Sequence, residues 1–233
     1  MNATMSKTVR ELALENPGAT RVFEQMGIDY CCGGQKPLEE ACAAANVSVD
    51  AVLAKLEELP YSPGSDGGQD WQKEPLARLI AHINGTHHVF VRSESARILR
   101  LLDKVCGVHG GNHPELLQVQ SGFAALAEEL SNHMTKEEQI LFPYILAAEL
   151  GSAPHSCFGS VQNPIRMMMF EHDNAGNVLR ELRRISDDYT APADACISYR
   201  TLYQALLDFE ADLHQHIHLE NNILFPRAIA MEQ

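Results

Sequence analysis

Two stretches of the chain carry the same side chains at the same spacing. His133-Met-Thr-Lys-Glu-Glu-Gln-Ile-Leu-Phe-Pro143 and His216-Ile-His-Leu-Glu-Asn-Asn-Ile-Leu-Phe-Pro226 agree at six of eleven positions: the histidine, the glutamate four residues on, and the closing Ile-Leu-Phe-Pro. They lie 83 residues apart, and His88 and His172 repeat at a separation of 84. The chain therefore reads as a duplicated helical hairpin whose two copies donate equivalent groups to one centre. Residues four apart stack one turn above each other on a helix face, so each imidazole projects together with its glutamate. Leu130, Met134, Ile140, Leu141 and Ile145 lie on or beside the first such face, and Leu213, Ile217, Ile223 and Leu224 on the second. An ionised carboxylate buried there is costly unless a cation offsets it. Four imidazoles around two carboxylates able to bridge make a dinuclear metal site. Nitrogen and oxygen donors in that mix suit iron best, with manganese or zinc open on ligand type alone.

The expected ligands are His88, His133, Glu137, His172, His216 and Glu220. His82 and His87 compete with His88, which the repeat spacing favours. A ferritin-like site would need Glu-x-x-His pairs, and no candidate histidine has a glutamate three residues before it. His214 and His218 point to other faces than His216 and read as surface or supporting groups, while His109, His113 and His155 fall in expected breaks. Met167-Met-Met169 could suggest copper, but helical spacing favours core packing.

These groups need long helices to present them. After residue 70 there is almost no period-two alternation; apolar residues recur at helical spacing in four stretches, about Glu74–Val105, Pro114–Glu149, Pro164–Tyr189 and Ala193–Ala230. Short breaks rich in Gly, Pro, Ser and His separate them, which predicts an all-α, antiparallel four-helix bundle. Pro60 to Asp70, with two prolines and three glycines, reads as a linker. The expected organisation is thus a small helical domain over 1–59, a linker over 60–70 and the bundle over 71–233. The first region reads as three or four short helices, their apolar stripe running from Leu12 and Leu14 through Val22, Phe23 and Met26 to Leu38, Cys42, Val52 and Leu56. Pro17 and Pro37 suit first-turn positions there.

Composition narrows the function class. Acidic residues outnumber basic ones 31 to 18, for a net charge of −13, which argues against a nucleic-acid partner. No apolar run reaches the length of a membrane span, and the opening residues lack the apolar core of a secretory leader, so a cytoplasmic protein is expected. The six cysteines do not suggest a disulfide scaffold in so helical a chain. Cys31 and Cys32 are adjacent and precede two glycines. That turn should expose their thiols for exchange, iron contact or intermolecular pairing, the alternative being two small buried side chains beside a turn; Cys42, Cys106, Cys157 and Cys196 lack ligand spacing.

With these motifs in hand, the chain resembles the RIC family of di-iron iron–sulfur cluster repair proteins (YtfE/ScdA/DnrN-like), with a C-terminal hemerythrin-like domain. Asp29-Tyr-Cys-Cys-Gly-Gly34, the two His/Glu blocks and Glu171-His-Asp-x-Ala-Gly176 carry the resemblance over nearly all 233 residues. It implies two oxo- or hydroxo-bridged irons, with the four histidines as terminal ligands and Glu137 and Glu220 bridging. An oxygen-carrying hemerythrin would place another histidine where Gly176 stands. The missing ligand leaves open positions on the irons, which suits chemistry or metal handover better than dioxygen storage. The family also implies repair of clusters damaged by nitrosative or oxidative stress, in a monomer or homodimer. Recipients would be damaged iron–sulfur proteins, reached by iron donation or nitric oxide chemistry, with Cys31 and Cys32 as acting residues. Glu138 and Glu171 are candidate proton-handling groups. The competing reading is a nitric oxide or dioxygen sensor signalling through the N-terminal domain.

Overall fold

The computed structural model describes residues 6–59, 69–152 and 158–232; most of the expected linker, together with His155 and Cys157, lies outside the described residues. Those residues form eleven α-helices and three π-helical turns, with an isolated β-bridge between Thr8 and Pro37. None of these helices is long and apolar enough to cross a membrane. The chain divides into two compact units: Met1–Ile80 with His214–Gln233, and Ala81–Leu213.

In the first unit, α1 (Val9–Glu15), α2 (Ala19–Gln25), α3 (Leu38–Ala44) and α4 (Val49–Glu57) are short. Thr8 and Glu11 start α1 with a reciprocal capping box, which satisfies two amides that a helix start leaves open. Pro37 is the N-cap of α3, and Pro17 lies two residues before α2, just outside the first-turn positions expected of both. Val9, Leu12, Val22, Phe23, Leu38, Cys42 and Val52 are buried, whereas Leu14, Met26 and Leu56 are only half-buried. The segment from His214 belongs to this unit through specific bonds. His214 Nδ1 meets Glu24 at 3.0 Å, Asn221 and Asn222 bind the carbonyls of Cys31 and Tyr30, and Arg227 donates to the Trp71 carbonyl.

The second unit is a helical bundle. Its principal helices are α6 (Val89–His109), α7 (Glu115–Lys136), α9 (Gln162–Ile185) and the part of α10 (Ile197–Leu219) before His214. Helix α5 (Leu76–His82) leads into α6 through the π-turn Ile83–His88, and α8 (Phe142–Glu149) continues α7 after the π-turn Glu137–Leu141. A third π-turn, Glu220–Leu224, joins α10 to α11 (Phe225–Ala230). Ile98, Leu102 and Val105 of α6, Leu116, Val119, Phe123 and Leu126 of α7, and Leu179 and Leu182 of α9 repeat at three- and four-residue steps and are all buried. Each such side chain contributes about 1.5–3 kcal/mol when removed from water. Phe123 meets Phe209 of α10 edge-on at 5.1 Å, and Arg183 of α9 pairs with Glu210 at 2.7 Å.

Helix ends differ from expectation where local chemistry intervenes. Gly107 does not stop α6, which continues to His109. Helix α9 ends at Ile185 rather than near Tyr189, because Asp187, Asp188 and Tyr189 all adopt left-handed φ values of 49°, 57° and 54°. Two of the longest expected helices are interrupted where Phe-Pro follows Ile-Leu. Proline lacks an N–H, and its ring clashes with the carbonyl four residues back. A π-turn, with one more residue in the loop, relieves that clash without ending the helix.

Candidate metal centre

All three π-turns coincide with candidate ligands: one ends at His88, and the other two begin at Glu137 and Glu220. Within the second unit, His88, His133, Glu137 and His172 come together, each almost fully buried. Glu137 Oε2 lies 3.5 Å from His88 Nε2 and 3.3 Å from His133 Nε2, and the Nε2 atoms of His133 and His172 are 3.0 Å apart. Ligands at right angles on a cation with bonds of about 2.1 Å lie about 3.0 Å apart, opening to about 3.4 Å in a tetrahedron. Donor atoms of His133, Glu137 and His172 all fall within 4.8 Å of one another. In the first unit, His216 and Glu220 repeat the pair of the first block, with Nε2 3.2 Å from Oε1 and both residues buried.

Of the three histidines near the start of the bundle, His88 is the one facing Glu137. His87 turns to Asp212 at 3.0 Å, and His82 lies against Thr86 and the His87 ring.

The far nitrogens of two candidate ligands are held by carboxylates that sequence spacing does not link to them. His88 Nδ1 is 2.7 Å from Glu138 Oε1, and Arg92 grips both oxygens of that carboxylate at 2.8 and 3.0 Å. His133 Nδ1 is 2.8 Å from Glu171 Oε2, whose other oxygen pairs with Lys136. Against the opposing effect of burial, Arg92 and His88 pull the Glu138 carboxyl below its ordinary range. The His133 hydrogen bond, helped by Lys136, brings Glu171 down to about 2. Both groups are therefore carboxylates that only accept hydrogen bonds. With Nδ1 of each imidazole donating to its carboxylate, Nε2 faces Glu137, and in the neutral tautomer it turns a lone pair toward it. A lone pair aimed at a carboxylate oxygen is the arrangement that a bound cation reconciles, and carboxylate-backed histidines are its usual support. The donor set thus fits a metal of the nitrogen- and oxygen-preferring kind.

Glu138 and Glu171 were legible only as neighbours of ligands, because their partners come from other helices. A cavity of about 270 Å³ between α7 and α9 reaches His133 and His172, with Lys136, Glu171, Met167 and Phe170 among its walls. Met168 is buried, but Met167 and Met169 are exposed, so only one of the three methionines belongs to the core. Ile140 is also exposed, because the π-turn carries it off the face a regular helix would give it. Gly176 is buried on α9, one turn beyond His172.

In the first unit the Cys31–Cys32 turn is less open than expected. Cys31 is buried and Cys32 half-buried, and their sulfurs are 3.7 Å apart as free thiols. The neighbouring thiol and carboxylate, with burial, push the Cys31 thiol well above its ordinary range. His218, expected as a surface or supporting group, is buried and bonded to Asn222, and burial pushes it down to about 4. Among the remaining described cysteines Cys42 is buried, Cys106 half-buried and Cys196 exposed. His109 ends α6, and His113 is bonded to Glu115 and Asp194.

Comparison with known proteins sorts the chain into two matches. Residues 79–228 match the hemerythrin HHE cation binding domain, and residues 5–60 match a domain of unknown function (DUF542). A probable iron–sulfur cluster repair protein of Haemophilus influenzae is 37% identical over 219 residues, covering 94% of this chain and 95% of that protein. The iron–sulfur cluster repair protein YtfE of Yersinia pseudotuberculosis is 37% identical over 227 residues, covering 97% and 98% respectively.

Proposed function

The chain belongs to the iron–sulfur cluster repair proteins built on a hemerythrin cation-binding domain, and from that premise we propose that it repairs iron–sulfur clusters damaged by nitrosative or oxidative stress. Its recipients are damaged iron–sulfur proteins. His88, His133, Glu137, His172, His216 and Glu220 are the residues that would hold two irons as its working centre. Bound there, the irons supply one-electron chemistry and open positions for a small ligand such as nitric oxide. Functionally the chain divides into an N-terminal region over 1–59, carrying Cys31 and Cys32, and the cation-binding region from residue 71.

The protein's own groups prepare that chemistry. Glu138 and Glu171 hold the Nδ1 protons of His88 and His133 and so fix which lone pairs face inward. Arg92 and Lys136 keep those carboxylates charged and in place. Complete burial of His88 and Glu137 excludes bulk water, which strengthens every charge interaction nearby. The cavity beside His133 and His172 offers a small molecule an entry.

The observation that carries this reading is the pair of carboxylate-backed imidazoles aimed at one buried glutamate. Metal analysis and Mössbauer spectroscopy on anaerobically purified protein test it, in the wild type and in Glu137→Ala. The expected result is about two irons per chain, the loading of a two-metal site, as a coupled pair lost in the variant. A single zinc indifferent to Glu137 would refute it. Transfer of iron to a damaged cluster, measured beside nitric oxide consumption, then separates donation from nitric oxide chemistry.

A further inference from the structure

The Asp29-Tyr-Cys-Cys-Gly-Gly34 segment holds a second group of donors, chemically unlike the first. Donor atoms of Asp29, Cys31 and Cys32 all lie within 4.8 Å of one another. The sulfurs are 3.7 Å apart, and Asp29 Oδ1 is 3.5 Å from the Cys31 sulfur. A disulfide would bring the sulfurs to about 2.05 Å. A tetrahedral cation with metal–sulfur bonds of about 2.3 Å and a metal–oxygen bond of about 2.1 Å sets these edges at about 3.8 and 3.6 Å. The loop already stands at that spacing.

The surrounding residues hold it there. Asn221 donates to the Cys31 carbonyl at 3.2 Å and Asn222 to the Tyr30 carbonyl at 3.0 Å. Arg10 donates to the Asn222 carbonyl, and its own amide binds the Gly34 carbonyl at 2.7 Å. Tyr30 is buried and anchors the loop between its would-be ligands. Asp29 Oδ1 accepts the Cys32 amide at 2.9 Å, which orients that oxygen over the thiols. The chain runs close to both glycines, closest at Gly34. A Cβ on Gly33 would lie 3.1 Å from the Asp29 carbonyl and 3.2 Å from its carboxylate; one on Gly34 would lie 2.9 Å from the Tyr30 carbonyl.

We propose that Asp29, Cys31 and Cys32 form a second cation site, taking one divalent ion of the zinc or iron(II) type. Two thiolates with one carboxylate select such borderline ions over calcium or magnesium. A fourth position stays open on the side of Asp29, which is exposed, and Cys32, which is half-buried. Binding exchanges the two thiol protons for the cation and moves no electrons, so its affinity rises with pH. That the site serves iron in transit to a recipient rests on the repair reading; the site itself does not.

Titration of the reduced full-length protein with cobalt(II) alone, under anaerobic conditions, decides the matter. The His/Glu centre contains no sulfur, so sulfur-to-cobalt charge-transfer absorption reports cysteine ligation, which the Cys32→Ser variant assigns to the loop. The expected result is a band saturating at one cobalt per chain, abolished in Cys32→Ser and retained in His133→Ala. Asp29→Asn, which keeps an acceptor for the Cys32 amide, should weaken cobalt binding by about tenfold or more. Far-ultraviolet circular dichroism confirms that Cys32→Ser and Asp29→Asn keep their helices. No band, a band that survives Cys32→Ser, a stoichiometry of two chains per cobalt, or indifference to Asp29→Asn would overturn the site. None of those results bears on the iron content of the His/Glu centre, which is measured separately.

Discussion

The two copies of the His-x-x-x-Glu block share a framework and differ in what they attach to it. In both, histidine and glutamate nitrogen and oxygen approach to 3.3 or 3.2 Å, a π-turn begins at the glutamate, and Phe-Pro restarts the helix. The residue after the glutamate then diverges. Glu138 of the first copy backs His88 and is gripped by Arg92. Asn221 of the second binds the Cys31 carbonyl, and Asn222 binds that of Tyr30. The two copies thus share the His/Glu geometry and differ at the adjacent positions. One copy uses them to back His88, the other to hold the cysteine loop.

If the shared framework is what matters, Glu137→Ala and Glu220→Ala should be equally damaging. Each should drop iron from about two per chain to below one, as expected when a two-metal site loses a bridge. An intact iron pair in either variant, by metal analysis, would break the equivalence.

The prolines come next. Pro143→Ala and Pro226→Ala remove the reason for the wide turn, and alanine restores the missing N–H. Each should weaken metal binding by about tenfold, the scale of losing ligand support, with helix content unchanged. Equilibrium metal competition reads the first effect and circular dichroism the second.

The diverged positions should sort cleanly. Glu138→Gln should cost about 10–100-fold in metal affinity while leaving the alkylation rate of Cys32 unaltered. Asn221→Ala should do the reverse, accelerating alkylation and lowering stability by about 1–2 kcal/mol as a carbonyl loses its donor. Any crossover between the two readouts would show that the copies have not specialised as described.

The smallest effect concerns Glu171, which only the first copy uses. Its folded pKa is depressed to about 2, so its contribution is present above the unfolded value near 4.3 and is lost as pH falls through about 2. In metal-free protein, the melting temperatures of wild type and Glu171→Gln should differ at pH 6 and converge as the pH approaches 2.

Much of this was written in the sequence because it depends on spacing along one helix. The His/Glu pairs, their duplication and the helical bundle all follow from periods of three and four. What escaped depends on contacts between elements or on helix phase. Glu138 and Glu171 could be seen as neighbours of ligands, but not as partners of His88 and His133. The shared Ile-Leu-Phe-Pro was visible, yet its consequence, a wide turn that exposes Ile140, was not. Cys31 looked open because two glycines follow it. Those glycines instead permit the close approaches that bury it, a distinction that only the positions of Asn222 and Asp29 reveal.

Each wide turn also amounts to an insertion kept in place. A regular helix advances about 100° per residue, so one extra residue rotates everything downstream by roughly that angle. The faces of α8 and α11 are therefore out of phase with those of α7 and α10. Losing one residue from either turn would be invisible to a search for broken helices, since the backbone could close into an ordinary α-helix. It would nevertheless swing the following turns onto the wrong side, turning Phe142 or Phe225, both now buried, toward water. The length of each turn is thus as much a part of this fold as the side chains it carries.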